Sequence, residues 1–594
     1  MKLLLFFIAF SVAQSAFSQD DFLAKHYFND GDFKKAVVFY EKLAEKNPRR
    51  TDYLENLISC YQQLERYTDA EAWLQKKTAE KNTLPTWYIH LGYNYMLQKQ
   101  PELANLNYDK AIRAIEENPN FGYAIGFQFQ KYTLLDYAIK AYATAMDLNP
   151  QLDYNFQMAR IYGEQGNIEK MYEAYLRLIA EDRTPQSNVL RSINDFVTED
   201  AENENNIKLK KLLLKNAQRN PDLIWNELLS WLFVKQKDFG NAFIQEKAIY
   251  KRDPDNALLR MEALGEMAMD ANENQAARTI FTYIQANCSD MELALKSQLH
   301  IIDIDLLDAD PKKLNDLQKT FESLMDMYGY QPKTVVLQIA YAHFLTFKRD
   351  APEKAIAILK RGLELPLSKF GEASLKMGLG DILVYDQKFN QALIYFSQVQ
   401  KDLKNDVLGQ NARFKVAQTS FYKGDFDWAL TQLKVLRSST SQLIANDAMD
   451  LSLVISDNSQ EDSTQTALKK YARADLLAYQ NKTREAISLL DEILIAHKGE
   501  KIEDEALLKQ AQLLESLKDY KTAAFNYIKI INFYGHDILA DDAYFALAEL
   551  YRTVFNEPEK AMEHYEKIIY NYQDSYFFPE ARRNFRRLRG DAIN

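Results

Sequence analysis

The sequence predicts an all-α fold, a solenoid of antiparallel helix pairs, and three observations lead to that prediction. The chain has 594 residues, which is too long for one compact core. It contains only 18 Gly and 14 Pro, which favours long helices with short loops. Residues of one kind recur 34 positions apart: Leu91-Gly92 with Ile125-Gly126, Tyr95 with Phe129, Ala104 with Ala138, Tyr108 with Tyr142, and Ala111 with Ala145. A period in this range indicates stacked units that bury their apolar faces on their neighbours.

One period, residues 86–119, reads as two helices. Trp87, Leu91 and Tyr95 follow a four-residue spacing, which predicts a first amphipathic helix. The polar stretch 98–102 breaks that pattern, and a second apolar stripe follows over 103–112. Pro119 ends the second helix, because proline lacks the N–H donor and clashes with the preceding turn.

The small residues of the period indicate where the two helices meet. Gly92 and Ala104 are expected at the close approach, with Tyr95 and Tyr108 filling the space beside it. A larger side chain there would overpack the contact, at a cost of about 1–3 kcal/mol.

This pattern resembles the tetratricopeptide repeat family. The residues that carry the resemblance are Trp87, Leu91-Gly92, Tyr95, Ala104, Tyr108 and Ala111, with Pro48 and Pro150 at the closing position. The resemblance implies an α-solenoid wound as a right-handed superhelix, whose concave groove is lined by first-helix residues between the core positions.

The repeats divide the chain into blocks. The predicted segments are a leader over 1–18, five repeats over 19–197, degenerate repeats over 207–370, repeats with a period near 37 over 371–455, and a C-terminal block over 467–594. Polar stretches at 198–206 and 456–466 separate them and are predicted hinges. The acidic run in the first hinge is interpreted as a solvated linker, with binding of a cation or a basic partner as the alternative.

The C-terminal block resembles the repeats of periplasmic proteins that serve outer-membrane assembly and cell-envelope coordination. The residues that carry this second resemblance are Asp541-Asp542-Ala543, Ala548, Tyr551, Ala561, Tyr565, Ile568 and Tyr572. Gln573 stands where those relatives have Pro, and the lipid-anchor Cys that many of them carry is missing here.

The first residues read as a secretory signal peptide. Met1-Lys2 is basic, Leu3–Phe10 is apolar, and Ala16-Phe17-Ser18 places small residues where a signal peptidase cleaves, before Gln19. The apolar run is much shorter than the roughly 20 residues of a membrane span. We therefore expect an exported, soluble protein of the periplasm, associated with the outer membrane.

Composition and motifs argue against several other classes. The net charge is −11, whereas nucleic-acid binding calls for a basic face. Cys60 and Cys288 are predicted to be small hydrophobic residues without a disulfide. No two of the seven histidines lie three or four residues apart, and no metal, nucleophile-elbow or phosphate-loop motif occurs. Gly378-Leu379-Gly380 is interpreted as helix packing. The sequence therefore predicts no catalytic, cofactor or metal site.

The resemblance to the repeat family supplies the candidate binding residues. First-helix positions between the core positions fall on Tyr93, Met96, Tyr123, Phe127, Gln130, Phe156 and Arg160. Their aromatic and apolar character suits a helix or an extended peptide lying in a groove. The alternative, that some of them only pack against the next repeat, stays open.

The final helix carries a basic cluster that could contact an anionic surface: Arg582, Arg583, Arg586, Arg587 and Arg589. Favourable interaction with the helix dipole, about 0.3–1 kcal/mol each, is the simpler explanation. Contact with anionic lipid, about 1 kcal/mol per Arg, would support weak peripheral docking.

The leading hypothesis is a non-enzymatic scaffold that mediates protein–protein contacts in the cell envelope of a Gram-negative bacterium, in outer-membrane or secretion-machinery assembly. The alternative is a helical glycan- or nutrient-binding protein at the outer membrane. A third class, an enzyme, finds no supporting residues in the sequence.

Overall fold

The structure, a computed structural model, describes residues 20–437, 442–459 and 465–591, and the predicted leader at 1–18 lies outside these ranges. All regular secondary structure in the described ranges is helical. The chain divides into two compact units, unit 1 up to Gln236 and unit 2 from Lys237. The predicted all-α solenoid of helix pairs is confirmed.

Unit 1 contains thirteen α-helices in its described part. They are α1 (20–29), α2 (Phe33–Lys46), α3 (Thr51–Gln63), α4 (Tyr67–Thr78), α5 (Thr86–Leu97), α6 (Pro101–Glu117), α7 (Gly122–Lys131), α8 (Leu135–Leu148), α9 (Asn155–Glu164), α10 (Ile168–Ala180), α11 (Gln186–Ile193), α12 (Glu204–Arg219) and α13 (Leu223–Lys235). Helices α1 to α10 form the five predicted pairs, and one continuous core of buried side chains runs from Ala24 to Ile161.

The remaining helices of the described ranges belong to unit 2. They are α14 (Phe239–Arg252), α15 (Ala257–Asp270), α16 (Asn274–Asn287), α17 (Met291–Leu306), α18 (Pro311–Tyr328), α19 (Val335–Phe347), α20 (Pro352–Gly362), α21 (Lys369–Tyr385), α22 (Phe389–Asp402), α23 (Val407–Lys423), α24 (Phe426–Leu436), α25 (Gln442–Asn458), α26 (Thr466–Tyr479), α27 (Thr483–Ala496), α28 (Ile502–Ser516), α29 (Tyr520–Phe533), α30 (Ala540–Thr553), α31 (Pro558–Asn571) and α32 (Phe578–Arg589). Packed helix pairs recur along this unit: α15 with α16, α19 with α20, α21 with α22, α23 with α24, α26 with α27, α28 with α29, and α30 with α31.

Short 3-10 turns at Pro119–Phe121, Asn194–Phe196 and Pro332–Thr334 complete the helical structure of these ranges. The first helices of the longer repeats account for their longer period, because α21 and α23 have 17 residues each. The corresponding helices α5 and α7 have 12 and 10 residues.

The turn between the two helices of a repeat uses a left-handed residue. Lys99 (φ 61°) and Thr133 (φ 58°) occupy this position in two repeats of unit 1, and Gly166 and Gly424 occupy it elsewhere. The backbone N–H after Lys99, that of Gln100, donates to the carbonyl of Tyr95 at 2.9 Å. This bond satisfies a carbonyl that the end of the helix would otherwise leave free.

The predicted close approach of paired helices is confirmed. A methyl group added at Gly92 would lie 2.4 Å from a ring carbon of Tyr108, and one at Gly126 would lie 2.4 Å from the ring of Tyr142. Both rings are fully buried. Only glycine lets the large second-helix aromatic lie directly on the first-helix backbone, which is why the two residue types recur together.

The first predicted hinge begins as a non-helical loop over 198–203, and α12 begins at Glu204. Asn206 is completely buried and donates its amide to the carbonyls of Thr198 (2.8 Å) and Asp200 (2.6 Å), which fastens the loop to α12. The second predicted hinge, 456–466, lies partly outside the described residues; its flanks belong to α25 and α26. The predicted domain boundaries stay predictions.

Within unit 2, the end of α26 contacts helices that precede it by more than one repeat. Tyr479 donates its hydroxyl to the carbonyl of Asp381 at 3.1 Å, and Asn481 donates to the carbonyl of Phe347 at 3.3 Å. The first helices α19, α21 and α26 therefore meet at their carboxyl ends, although adjacent repeats alone are expected to touch in a solenoid.

Two remaining sequence predictions concern cysteines and membrane spans. Cys60 is buried in α3, Cys288 is half-buried after α16, and both thiols are free, as predicted. Among the helices of the described ranges, none has both the length and the apolar run needed to cross a membrane.

Candidate functional site

The candidate binding surface of unit 1 lies on the first helices α5 and α7. One side of α7 faces the core and carries Ile125, Gly126 and Phe129. Aromatic rings of the second helices pack against this side. Tyr123 and Phe127, one turn apart on the same helix, consequently lie on its other side and face solvent.

The aromatic pair, defined as Tyr123 and Phe127, is the most exposed part of the predicted groove. Tyr123 is 48% exposed and Phe127 is 53% exposed. Their rings lie 6.1 Å apart and within 7° of parallel. Met96 of α5, at 40% exposure, adds a further apolar side chain, and Arg160 of α9 is exposed as well. Exposed large apolar side chains that cluster on one surface are typical of interaction sites.

The other three candidate residues are engaged by side chains of the same unit. Tyr93 stacks face to face on Tyr132, with ring centroids 4.0 Å apart. Gln130 donates to Glu164 at 2.9 Å, and Phe156 packs edge-on against Tyr175 at 5.4 Å. For these three positions the packing that the sequence left open is present in the structure.

Sequence reasoning missed the residues that cover Tyr93. The Tyr132 hydroxyl lies 2.6 Å from Nδ1 of His90, and Lys131 forms an ion pair with Glu55 of α3 at 3.5 Å. The end of α7 therefore contacts both α3 and α5. The 34-residue period carries no signal for this contact, since the position equivalent to Tyr132 is Gln98 in the preceding repeat.

Burial controls the charge of His90. Its side chain is 2% exposed, and burial, with a smaller contribution from the positive charge of Lys131, lowers its pKa to about 3. The imidazole is therefore neutral near neutral pH and serves as a packed hydrogen-bonding group under the surface.

The basic cluster of α32 is partly neutralised within the chain. Arg589 donates from Nε to Asp591 at 2.9 Å, and Arg586 does so at 3.5 Å. Arg582, Arg583 and Arg587 are exposed. The surface offered to an anion is therefore less basic than the sequence alone indicates.

Among the described residues of unit 2, one group of side chains is of a kind that can hold a metal. Glu262 and Glu266, one turn apart on α15, and His300 of α17 place their ligand atoms within 4.8 Å of one another. His300 also pairs with Glu266 at 3.6 Å and stacks on Phe281 at 4.6 Å. Sequence spacing could not reveal this group, because its members lie on different helices. Exposed or half-buried acidic groups near a histidine are common in proteins without a metal.

The same histidine borders an apolar cavity of about 590 Å³, whose walls come mainly from α17 and α19. Phe321, Phe344 and Leu299 supply apolar surface, while His343 lies deeper with a buried Nε2 that has no hydrogen-bond partner in the described part of unit 2. Burial lowers the pKa of His343. The cavity lining, within the described residues, contains no Ser, Thr, Cys or Tyr side chain.

Comparison with protein families matches three segments of the chain. A tetratricopeptide repeat model matches residues 23–82 and 471–531, and a second tetratricopeptide repeat model matches residues 542–575. Among curated proteins, the general transcriptional corepressor trfA of Dictyostelium discoideum is 25% identical over 126 residues. That match covers 21% of this chain and 9% of the corepressor.

Two solved structures resemble the chain over most of its length at low similarity. A chain of the Naa15/Naa10 complex bound to HypK-THB is 13% identical, with a TM-score of 0.31, covering 96% of this chain and 93% of that one. A chain of the APC/C hetero-tetramer Cut9–Hcn1 is also 13% identical, with a TM-score of 0.24, covering 96% of both chains.

The helix pairs, their small-to-aromatic contacts and the two family models agree on the type of repeat. The predicted resemblance to tetratricopeptide repeats is thereby confirmed at the level of the repeat in the matched segments. The family models identify tetratricopeptide repeats at residues 23–82, 471–531 and 542–575 of the chain.

Proposed function

We propose that this chain is a non-enzymatic scaffold that holds a protein partner on unit 1. The observation that carries the proposal is the aromatic pair, Tyr123 and Phe127, exposed and nearly parallel on a first helix of a tetratricopeptide array. Two exposed rings one turn apart present a flat apolar surface, which suits the apolar face of a helix or of an extended peptide.

The proposed place of action is the cell envelope of a Gram-negative bacterium, in the assembly of the outer membrane or of secretion machinery. Support comes from the leader pattern at 1–18 and from the resemblance of the C-terminal block to periplasmic repeat proteins. Arg582, Arg583 and Arg587 would contribute at most a weak contact with anionic lipid.

A tagged full-length chain, cross-linked in the envelope of its own organism and purified, tests both parts. The variant Tyr123→Ser/Phe127→Ser removes the aromatic pair from α7. The variant Leu106→Ser/Leu148→Ser removes two side chains of similar exposure, 49% each, from the second helices α6 and α8, and is the matched control. We expect an envelope protein to be captured by the native chain and the control, and to be lost with the aromatic variant.

If both variants capture the partner equally, the aromatic pair is not the binding surface. If the tagged chain is found outside the envelope fraction, the proposed location is contradicted. The same two rings also suit stacking on sugar, which is the alternative function. Binding of oligosaccharides by the native chain, lost with the aromatic variant and accompanied by no captured protein, would favour that alternative.

A further inference from the structure

Unit 2 contains a cavity of about 890 Å³ whose lining is strongly acidic. It lies among α23, α25, α26, α28 and α30, and six carboxylates line it: Asp447, Asp450, Asp457, Asp475, Glu505 and Asp542. In the lining as described, Lys509 is the one cationic side chain, and it pairs with Asp475 at 2.5 Å. Five carboxylates remain without a lysine or arginine in the lining to balance them.

The walls of this cavity are aromatic as well as acidic. Tyr422, Tyr471 and Tyr479 contribute to the lining, and the Tyr422 hydroxyl donates to Asp475 at 3.2 Å. The chain's own Lys415 holds its ammonium 5.8 Å from the ring centre of Tyr479. Tyrosine faces beside carboxylates are the surroundings in which proteins bind alkylammonium groups, through charge and cation–π attraction.

Two hydrogen-bond acceptors have no donor, one on Glu505 of the cavity lining and one on Asn458, which lies next to Glu505. Asn458 is 7% exposed and donates its amide to Oε1 of Glu505 at 3.0 Å. The other oxygen of Glu505 and the Oδ1 of Asn458 are buried, and no group of the described residues donates to either. Buried acceptors without a donor are unfavourable, whereas an ammonium group brings three donors and no acceptor.

The ionisation of the carboxylates agrees with a missing positive charge. Burial, and next to it a side-chain hydrogen bond with Asp504, raises the pKa of Glu505. Burial, and then the charges of Asp541 and Asp450, raises the pKa of Asp542 to about 7. A cation in the cavity would lower both pKa values, because it favours the charged carboxylate.

We propose that this cavity binds lysine side chains of a basic segment of the protein partner. The carboxylates are spread over four helices, which suits several charges on separate side chains, and Leu453, Val454 and Leu508 between them suit the aliphatic stems. This inference rests on the proposed scaffold function, since it names the chemistry of the partner, but it uses a surface that is separate from the aromatic pair.

The test measures binding of defined peptides to the full chain by isothermal titration calorimetry. The probe is a blocked decapeptide of alternating Lys and Gly, compared with its Glu–Gly counterpart and with spermidine. The pocket variant is Glu505→Gln/Asp542→Asn. The control variant, Asp326→Asn/Asp402→Asn, makes the same formal change of charge at two exposed positions of unit 2.

We expect the lysine peptide to bind the native chain and the Glu–Gly peptide not to bind. The pocket variant should bind the lysine peptide with an affinity lowered by about tenfold or more. The control should change affinity by less than about twofold, as expected for screened surface charges. Circular dichroism of both variants keeps a loss of binding separate from a loss of fold.

Three outcomes would overturn the inference: no binding of the lysine peptide, equal weakening by both variants, or binding of spermidine without binding of the peptide. If the cross-linking experiment captures a partner through the aromatic pair while the lysine peptide does not bind, the inference fails and the scaffold function stands. If the peptide binds but no partner is captured, the scaffold function fails instead.

Discussion

Gln480, at the end of α26, donates its side-chain amide to the backbone carbonyl of Tyr385 over 2.6 Å, across 95 positions of the chain. Gln480 is 3% exposed. The contact joins α26, in the C-terminal block, to α21. The helices α23 and α24 lie between these two in the sequence. Among the described residues, Tyr479, Asn481 and Arg473 make further polar contacts from α26 to earlier repeats, and Arg473 donates to Gln387 at 2.9 Å.

Replacing Gln480 with Ala should destabilise unit 2 by about 1–3 kcal/mol, because the buried carbonyl of Tyr385 loses its side-chain donor. Urea denaturation of the full chain, followed by circular dichroism, measures the change. Gln398→Ala, at an exposed position of α22, is the control and should leave the midpoint unchanged. A native midpoint for Gln480→Ala would show that the contact contributes no stability.

Two glycines of the same helix should respond in opposite ways to an added methyl group. At Gly380 the methyl would lie 2.4 Å from the buried ring of Phe396, whereas at Gly378 it would lie 3.4 Å from Ile339, an ordinary contact. Alanine favours the helix by about 1 kcal/mol over glycine, and overpacking costs about 1–3 kcal/mol. Gly380→Ala should therefore lower the thermal midpoint, and Gly378→Ala should leave it unchanged or raise it.

Differential scanning calorimetry of both variants measures the two thermal midpoints. A drop of the same size in both would mean that both positions lack room for a methyl group, and that the Gly380–Phe396 contact is not special.

Protonation of His90 should destabilise unit 1 in acid. Its pKa is lowered to about 3 in the folded chain and is about 6.5 when unfolded. Between these values the unfolded chain binds a proton that the folded chain does not, so stability falls as pH falls through this window, by up to about 1.4 kcal/mol per pH unit. His90→Gln should lose less stability than the native chain between about pH 7.5 and about pH 5.

Urea midpoints at the two pH values, compared between variants, give the measurement. His26→Gln, at an exposed position, is the control and should follow the native pH dependence. Parallel curves for His90→Gln and the native chain would contradict the assignment of this acid sensitivity to His90.

Ionisation of Asp542 should lower the free energy of unfolding at alkaline pH when no ligand is bound. Its folded pKa of about 7 lies above the usual Asp value of about 3.9, so the folded chain holds a proton more firmly than the unfolded chain. Stability from this group is present below the unfolded pKa and is lost as pH rises through the folded pKa. Asp542→Asn should be more stable than the native chain at about pH 8.5, by on the order of 1–2 kcal/mol, and similar to it at about pH 4.

Thermal unfolding at both pH values tests this, with Asp402→Asn at an exposed site as the control. A variant that is less stable than the native chain at alkaline pH would mean that the ionised Asp542 has a favourable partner in the folded chain.

The sequence by itself determined the repeat, the helix pairs and the contact inside each pair. Gly92 and Tyr108 are 16 residues apart on two helices joined by one short turn, so their contact follows from local geometry and returns wherever the period returns. The resemblance to the repeat family implied that Tyr123 and Phe127 lie between the core positions, and both are exposed.

The tertiary structure alone decided which first-helix residues stay accessible and which charged groups meet. Tyr132 covers Tyr93, Gln480 reaches Tyr385, and the acids of α25, α26, α28 and α30 line one cavity. These contacts join helices from different repeats, so they depend on rotations that add up from one pair to the next. Residue spacing in the sequence does not predict this accumulated rotation, because each repeat determines only its packing on its neighbours.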